Sequence, residues 1–207
     1  MSSTRTTLDV ADLPDHGFGS RSIMWWATVL IIAIEATVFV ATIASYFYLQ
    51  GNEMTWPPGD TLPPGLKWGT INVAILLLSI LPNQFVKSAA EKMDMTKVRI
   101  GMVICDLFAV AFVIVRVLEY TTLNTKWDAN AYGSVTWTLL SFHTFHLVTD
   151  LADSIVLTVL MFTHHGYKPT RFVDVAENAF YWYFVVLSWL PIYGVVYWAP
   201  RLMGGRH

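Results

Sequence analysis

Apolar residues in this chain run in long tracts instead of alternating with polar ones. Five tracts stand out, at about 22–50, 67–90, 98–121, 132–165 and 175–201. The first carries TVLIIAIEATVFVATIASYFYL, the second INVAILLLSILP and the third GMVICDLFAVAFVIVRVLEY. The fourth is the longest and most polar, and the fifth is strongly aromatic. A helix needs about 20 mostly apolar residues to cross a bilayer, and each tract has that length. Membrane strands would be about ten residues of alternating polarity, a pattern the chain lacks. An open sheet cannot satisfy its backbone in lipid. The pattern therefore predicts an all-α integral membrane protein: a tail over residues 1–21, then a domain of five transmembrane helices over 22–203. Pro82 and Pro191 fall inside predicted helices and mark expected kinks.

Composition sharpens this reading. Of 207 residues, 55% are hydrophobic and 14% charged, against about 25% charged in a soluble domain. Mean hydropathy is +0.48. These values exclude a soluble enzyme. The longest connection, Gly51 to Leu66, is too short for an extramembrane domain. A net charge of −2 argues against nucleic acid as a partner. Cys105, the one cysteine, lies in the third tract. Within this chain that excludes a structural disulfide, a CxxC pair, a CxxCH haem attachment and a cysteine zinc site. The tail carries Asp9, Asp12 and Asp15 and no basic region, so no signal peptide is expected.

Lysine and arginine predict the orientation. Arg5, Arg21, Lys87, Lys92, Lys97, Arg99, Lys168 and Arg171 fall on one side. Lys67, Lys126, Arg201 and Arg206 fall on the other. The N-terminus is therefore expected in the cytoplasm and the C-terminus outside. Trp25, Trp26, Trp68, Trp127 and Trp198 fit interfacial belts. The Pro-rich loop from Trp56 to Gly65 is expected to be a short stiff connection.

Polar residues at membrane depth are the candidates for chemistry, because a charge at the bilayer centre costs about 2.5–3.5 kcal/mol. Glu35 lies roughly 21 Å along the first helix from Arg21. It reads either as a proton-exchanging or lipid-gating carboxylate, or as a protonated acid bonded to a neighbouring helix. On the fourth helix, His143, His146, Asp150 and Asp153 are spaced three, four and three apart, which predicts one narrow face. That face reads as a metal or haem site, as a polar seam in which His143 or His146 bonds Glu35, or as a proton path. Asp106, about 12 Å into the third helix, is expected to join Asp150 and Asp153 in a cytoplasmic-side polar patch. Arg116 and Glu119 are expected to pair or to snorkel to the interface, with a lipid headgroup site as the functional alternative. Ala33, Thr37, Ala41 and Ser45 recur every four residues and predict a helix-packing face.

The motifs carry a resemblance. MWWATVLIIAIEATVFVATIASYFYL is similar to the first conserved helix of subunit III of haem-copper terminal oxidases, with Glu35 as its membrane glutamate. WPP followed by GTINVAILLLSI resembles that family's Pro-rich loop and second helix. VRVLEY resembles Q-x-x-E-Y, with Arg116 at the usual glutamine. NAYGSVTWTLLSFHTFHL resembles YGS…GFHGLHV, placing His143 and His146 on its histidines. ENAFYWYFVVLSWL resembles E-x-A-x-x-YWHFVDVVWL, with Tyr183 and Val186 at the family's histidine and aspartate, and Asp150 stands at a family glycine.

The chain thus resembles the short, five-helix bacterial form of subunit III. The resemblance implies a non-redox subunit of a proton-pumping, cytochrome c oxidase-type complex in the bacterial inner (plasma) membrane. Haem and copper would sit in partner subunits I and II, with no cofactor in this chain and phospholipid bound to it. It implies a supporting role in packing, oxygen access and proton uptake. The alternatives are a quinol oxidase subunit III, a nitric-oxide-reductase-associated homologue, a free-standing proton or ion transporter, and a di-histidine metalloenzyme.

Overall fold

A computed structural model describes residues 16–203. Arg5, Asp9, Asp12, Asp15 and Arg206 lie outside the described residues. Five helices are long and apolar enough to cross a membrane, and the described residues contain no strand. They are α1 (Ile23–Gly51), α2 (Leu66–Glu91), α3 (Met95–Thr121), α4 (Ala131–Phe162) and α5 (Pro169–Tyr193). The fold is an all-α, multi-pass membrane protein.

Local chemistry sets the helix ends. Ser22 Oγ accepts from the Met24 amide at 3.1 Å, and Asn130 Oδ1 accepts from Gly133 at 2.8 Å. Asp94 Oδ1 accepts from the Lys97 amide at 3.2 Å. Each side chain satisfies an amide that the first turn leaves unpaired. Two ends differ from the expected ones. Helix α4 stops at Phe162, not near His165, because Thr163 is extended and its hydroxyl caps the amide of His165. Helix α5 begins at Pro169, six residues before the expected start. Proline is preorganised for a first helical position, and the early turns bury Phe172 and Val173.

Neither proline ends its helix. Helix α2 runs through Pro82. Beyond Pro191 the helical path widens into a π turn, Gly194–Trp198, and continues as α6 (Ala199–Met203).

Helices α2, α3, α4 and α5 pack as a closed ring, with α2 against α3 and α5, and α4 against α3 and α5. Helix α1 lies outside this ring on the α4–α5 seam, and buries only Phe39 and Tyr46. Close approach within the ring uses glycine. A Cβ on Gly101 would sit 2.4 Å from Val86 Cγ2, and one on Gly69 would sit 2.5 Å from the Tyr197 ring.

The Pro-rich loop does more than connect. Trp56 is buried and donates to the Tyr46 hydroxyl at 2.8 Å. Asn124 donates to the Pro63 carbonyl at 2.8 Å and Arg201 to the Pro64 carbonyl at 2.5 Å. The loop therefore closes one end of the bundle.

Two apolar clusters fill the interior. The larger includes Phe112, Leu139, Leu147, Trp182 and Trp189. The smaller, at the α2–α3 and α4–α5 turns, includes Val86, Met102, Leu157, Met161 and Phe172. Asn83, Asp106, Asp150, Ser154 and Asn178 form a polar layer at the level where the two meet.

Candidate polar centres within the helix bundle

Glu35 projects from α1 onto the α4–α5 seam. Its Oε2 accepts from the Tyr181 hydroxyl at 2.6 Å, and its Oε1 lies 3.5 Å from His146 Nε2. The His146 Nδ1 sits 2.6 Å from the Phe142 carbonyl. A carbonyl only accepts, so Nδ1 carries the hydrogen and Nε2 is left to face Glu35. This geometry accommodates one proton between Nε2 and Oε1. The His146 and Glu35 side chains are 12% and 23% exposed, so the pair sits at an edge of the bundle.

His143 does not join them. Its Nε2 donates to the Val185 carbonyl at 2.9 Å, leaving the Nδ1 lone pair towards Arg116 Nη2 at 3.4 Å. The two histidines therefore face different neighbours and do not share a ligand position. The expected centre of Glu35, His143 and His146 divides in two because a spacing of three on a helix turns adjacent side chains by about 60°. The buried stripe of α4 is His143, Leu147, Asp150, Ser154 and Leu157. His146 and Asp153 lie at its margin.

The second centre surrounds His143. Arg116 and Glu119 are each 1% exposed and pair at 2.8 Å. Glu119 Oε2 also accepts from Asn72 at 2.6 Å, and Oε1 accepts from the Tyr197 hydroxyl. The Arg116 guanidinium lies 3.9 Å from the Trp189 ring centre and 4.8 Å from that of Phe112. Aromatic faces stabilise a desolvated cation in this way. Pairing is thus observed. Both side chains are turned into the bundle instead of toward its surface.

The three aspartates are linked through intervening side chains and not by direct contact. Asp106 faces α4 from α3, and accepts from Ser154 at 2.5 Å and Thr158 at 2.7 Å. Asp150 is buried and accepts from Asn178 at 3.0 Å, while exposed Asp153 lies 3.4 Å from the same amide. Asp106 meets the ridge of α4 one turn beyond Asp150. A groove of about 520 Å³ opens between α1, α4 and α5, lined by Asp150, Asp153, Glu177, Asn178 and Tyr181. Arg171 and Asp174 pair at its rim at 2.8 Å.

Ala33, Thr37, Ala41 and Ser45 are exposed. The Thr37 and Ser45 hydroxyls bond the Ala33 and Ala41 carbonyls of their own helix. The stripe is therefore not a packing face within the chain, and it remains free for a partner.

The family model described as cytochrome c oxidase subunit III matches residues 11–200. The chain belongs to this family. Its relatives include probable cytochrome c oxidase subunit 3 of Nocardia farcinica, 26% identical over 88% of this chain and 91% of the relative. The probable subunit 3 of Mycobacterium leprae is 27% identical over 95% of this chain and 98% of the relative. Cytochrome c oxidase subunit 3 of Synechocystis is 24% identical over 88% and 78%. This is a terminal oxidase subunit III.

Sequence reasoning missed Tyr181, Asn72, Tyr197 and Asn178, which complete the polar centres of this subunit III. Asn72 carried a usable signal, being an amide inside the apolar tract INVAILLL. The tyrosines gave none, because aromatic residues fill the fifth tract throughout.

Proposed function

We propose that this chain is the non-redox subunit III of a proton-pumping, cytochrome c oxidase-type terminal oxidase in a bacterial plasma membrane. It packs on subunit I, contacts subunit II and binds phospholipid, and it supports oxygen access and proton uptake. Haem and copper belong to the partner subunits in this reading. The N-terminus is cytoplasmic and the C-terminus outside.

The observation that carries the reading is Glu35. It stands at membrane depth on α1, bonded to Tyr181 and facing His146, within a chain that the family matches along almost its whole length. The exposed stripe on α1 supports a neighbour in the membrane, since small residues let helices approach closely.

The test is to tag the chain, solubilise native membranes gently, and record the visible spectrum and subunit composition of what co-purifies. Haem bands with stoichiometric subunits I and II are expected. A subunit II without copper ligands would replace cytochrome c by quinol as donor. A colourless, monodisperse protein with no haem-bearing partner would overturn the subunit reading and favour a free-standing transporter.

A further inference from the structure

The polar layer between the two apolar clusters encloses a cavity of about 20 Å³, lined by Asn83, Cys105, Asp150, Ser154, Asn178 and Trp182 among others. A water needs roughly 10–15 Å³ of such space and two to four polar partners. The cavity supplies both. Asp150 also lines the groove between α1, α4 and α5, so this one carboxyl joins the two spaces.

The hydrogen bonds beside the cavity have a direction. Both Asp106 oxygens accept from hydroxyls, Oδ1 from Ser154 and Oδ2 from Thr158. Two accepted bonds are what a carboxylate takes. Asp150 accepts one amide hydrogen, from Asn178. The titratable groups around Asp150 are Asp106 and Cys105 on α3, Asp153 on α4, Glu35 on α1, and Tyr181 and Glu177 on α5. The groove that Asp150 lines also holds Arg171 and Asp174, which pair with each other at 2.8 Å. Independently, Glu177 is 6% exposed and its Oε2 has no hydrogen-bond partner, although the residue lines the groove beside Asp150.

We propose that the cavity holds one water, and that Asp150, this water, Ser154 and Asp106 form a hydrogen-bonded chain that carries one mobile proton between the two carboxyl groups. In the starting state the proton sits on Asp150, which accepts a single amide bond, since both Asp106 oxygens are occupied by donated hydroxyls. The Asp150 O–H bond breaks as its proton passes to the water. The water releases a proton to Ser154 Oγ, and Ser154 releases its own to Asp106 Oδ1. Three O–H bonds break and three form, and the negative charge moves from α3 to α4 with no other reactant. Glu177 and the groove exchange protons with the Asp150 end. Hydroxyl and water relays of this kind need only short contacts, such as the 2.5 Å from Ser154 to Asp106. The inference concerns this chain's own side chains and does not depend on the oxidase reading.

The experiment is infrared spectroscopy of the full chain in lipid nanodiscs as a function of pH. The parent should show a protonated-carboxyl carbonyl band at neutral pH. Asp150→Asn should abolish it. Asp106→Asn and Ser154→Ala should each displace it, the first by removing the final acceptor and the second by cutting the relay with both carboxyls intact. Exchange into deuterium oxide should shift it to lower frequency, because the Asp150 proton exchanges through the cavity water. A band that survives Asp150→Asn, or that neither Asp106→Asn nor Ser154→Ala moves, would overturn the proposal. Unchanged helix content by circular dichroism keeps a folding defect from being read as either result. Loss of haem co-purification would sink the oxidase reading and leave this assignment standing.

Discussion

Replacing Arg116 by methionine removes a cation that is 1% exposed and leaves Glu119 buried beside it. Breaking one partner of a buried ion pair costs about 3–5 kcal/mol, mostly because the other charge loses its counterpart. Here Glu119 keeps two donors, Asn72 at 2.6 Å and Tyr197. That places the loss near the lower end, about 3 kcal/mol. The stacking of the guanidinium on Trp189 at 3.9 Å contributes roughly 2 kcal/mol when desolvated, and the methionine chain recovers part of that by packing. The net expectation is about 3–4 kcal/mol, or on the order of a 10 °C fall in Tm for a chain of this length. Cys105, the one cysteine, is partly buried, so a fluorogenic maleimide reports unfolding of the purified chain in detergent. The double variant Arg116→Met, Glu119→Gln removes the orphaned charge. It should be less damaged than the sum of the single variants by about 2 kcal/mol. A Tm change under about 2 °C for Arg116→Met, or strict additivity in the double variant, would refute the claim that this pair is a coupled, sealed core.

Other predictions follow from single contacts. Tyr181→Phe removes the 2.6 Å bond to Glu35 and should cost about 1.5 kcal/mol, read as a Tm fall of a few degrees. Gly133→Ala places a Cβ 2.2 Å from the Lys126 carbonyl and should cost at least about 1–3 kcal/mol, whereas Gly51→Ala, with open space around it, should leave Tm unchanged. Lys97 holds the Asp94 carboxyl below its usual range. A depressed acid stabilises the fold above its unfolded pKa of about 4, and that contribution fades as pH falls through the lower folded value. The Tm gap between parent and Asp94→Asn should therefore be full near neutrality and close in acid. Ala33→Leu with Ala41→Leu should leave the Tm of the isolated chain alone and reduce the yield of assembled complex, measured as haem recovered per tagged chain.

The five spans were legible because lipid imposes a rule that soluble folds escape: every backbone group must be paired inside the segment. Lengths and apolar tracts follow directly. The start of α5 was obscured because PTRFVDV carries Arg171 and Asp174, which read as loop polarity. In the fold these two pair with each other one turn apart, at 2.8 Å, and let the helix begin early. Glu35 and the α4 stripe were visible as polar residues at depth. A histidine of α4 facing Glu35 was legible too, but which of the two, and the roles of Tyr181 and Arg116, were not. Spacing along one helix shows which residues share a face, but it carries no information on how helices rotate against one another. That rotation decides that Glu35 meets Tyr181 and His146, and that His143 meets Arg116. The partners of Asp106 were hidden for the same reason: it meets α4 at Ser154 and Thr158, the turn after Asp150.

The three polar levels differ in access, and the difference follows α1. Arg116, Glu119, Asn72, Tyr197 and His143 come from the four-helix ring and its C-terminal extension, and they are sealed. Glu35 and His146 lie where α1 touches the ring, and they are partly open. Asp150 and Glu177 lie beside a groove whose other wall is α1. Among these groups, the ones with access to the surroundings border the one helix held outside the ring. That helix is anchored by few contacts: Phe39, Tyr46, the Trp25–Phe180 stack and the Glu35–Tyr181 bond. Its remaining surface is apolar and carries the stripe of small residues. A helix bound this lightly gains little stability from one side-chain hydrogen bond, which returns only about 1 kcal/mol net. The Glu35 contact makes physical sense as a junction whose geometry shifts with the seating of α1, and through α1 with whatever packs on its exposed face.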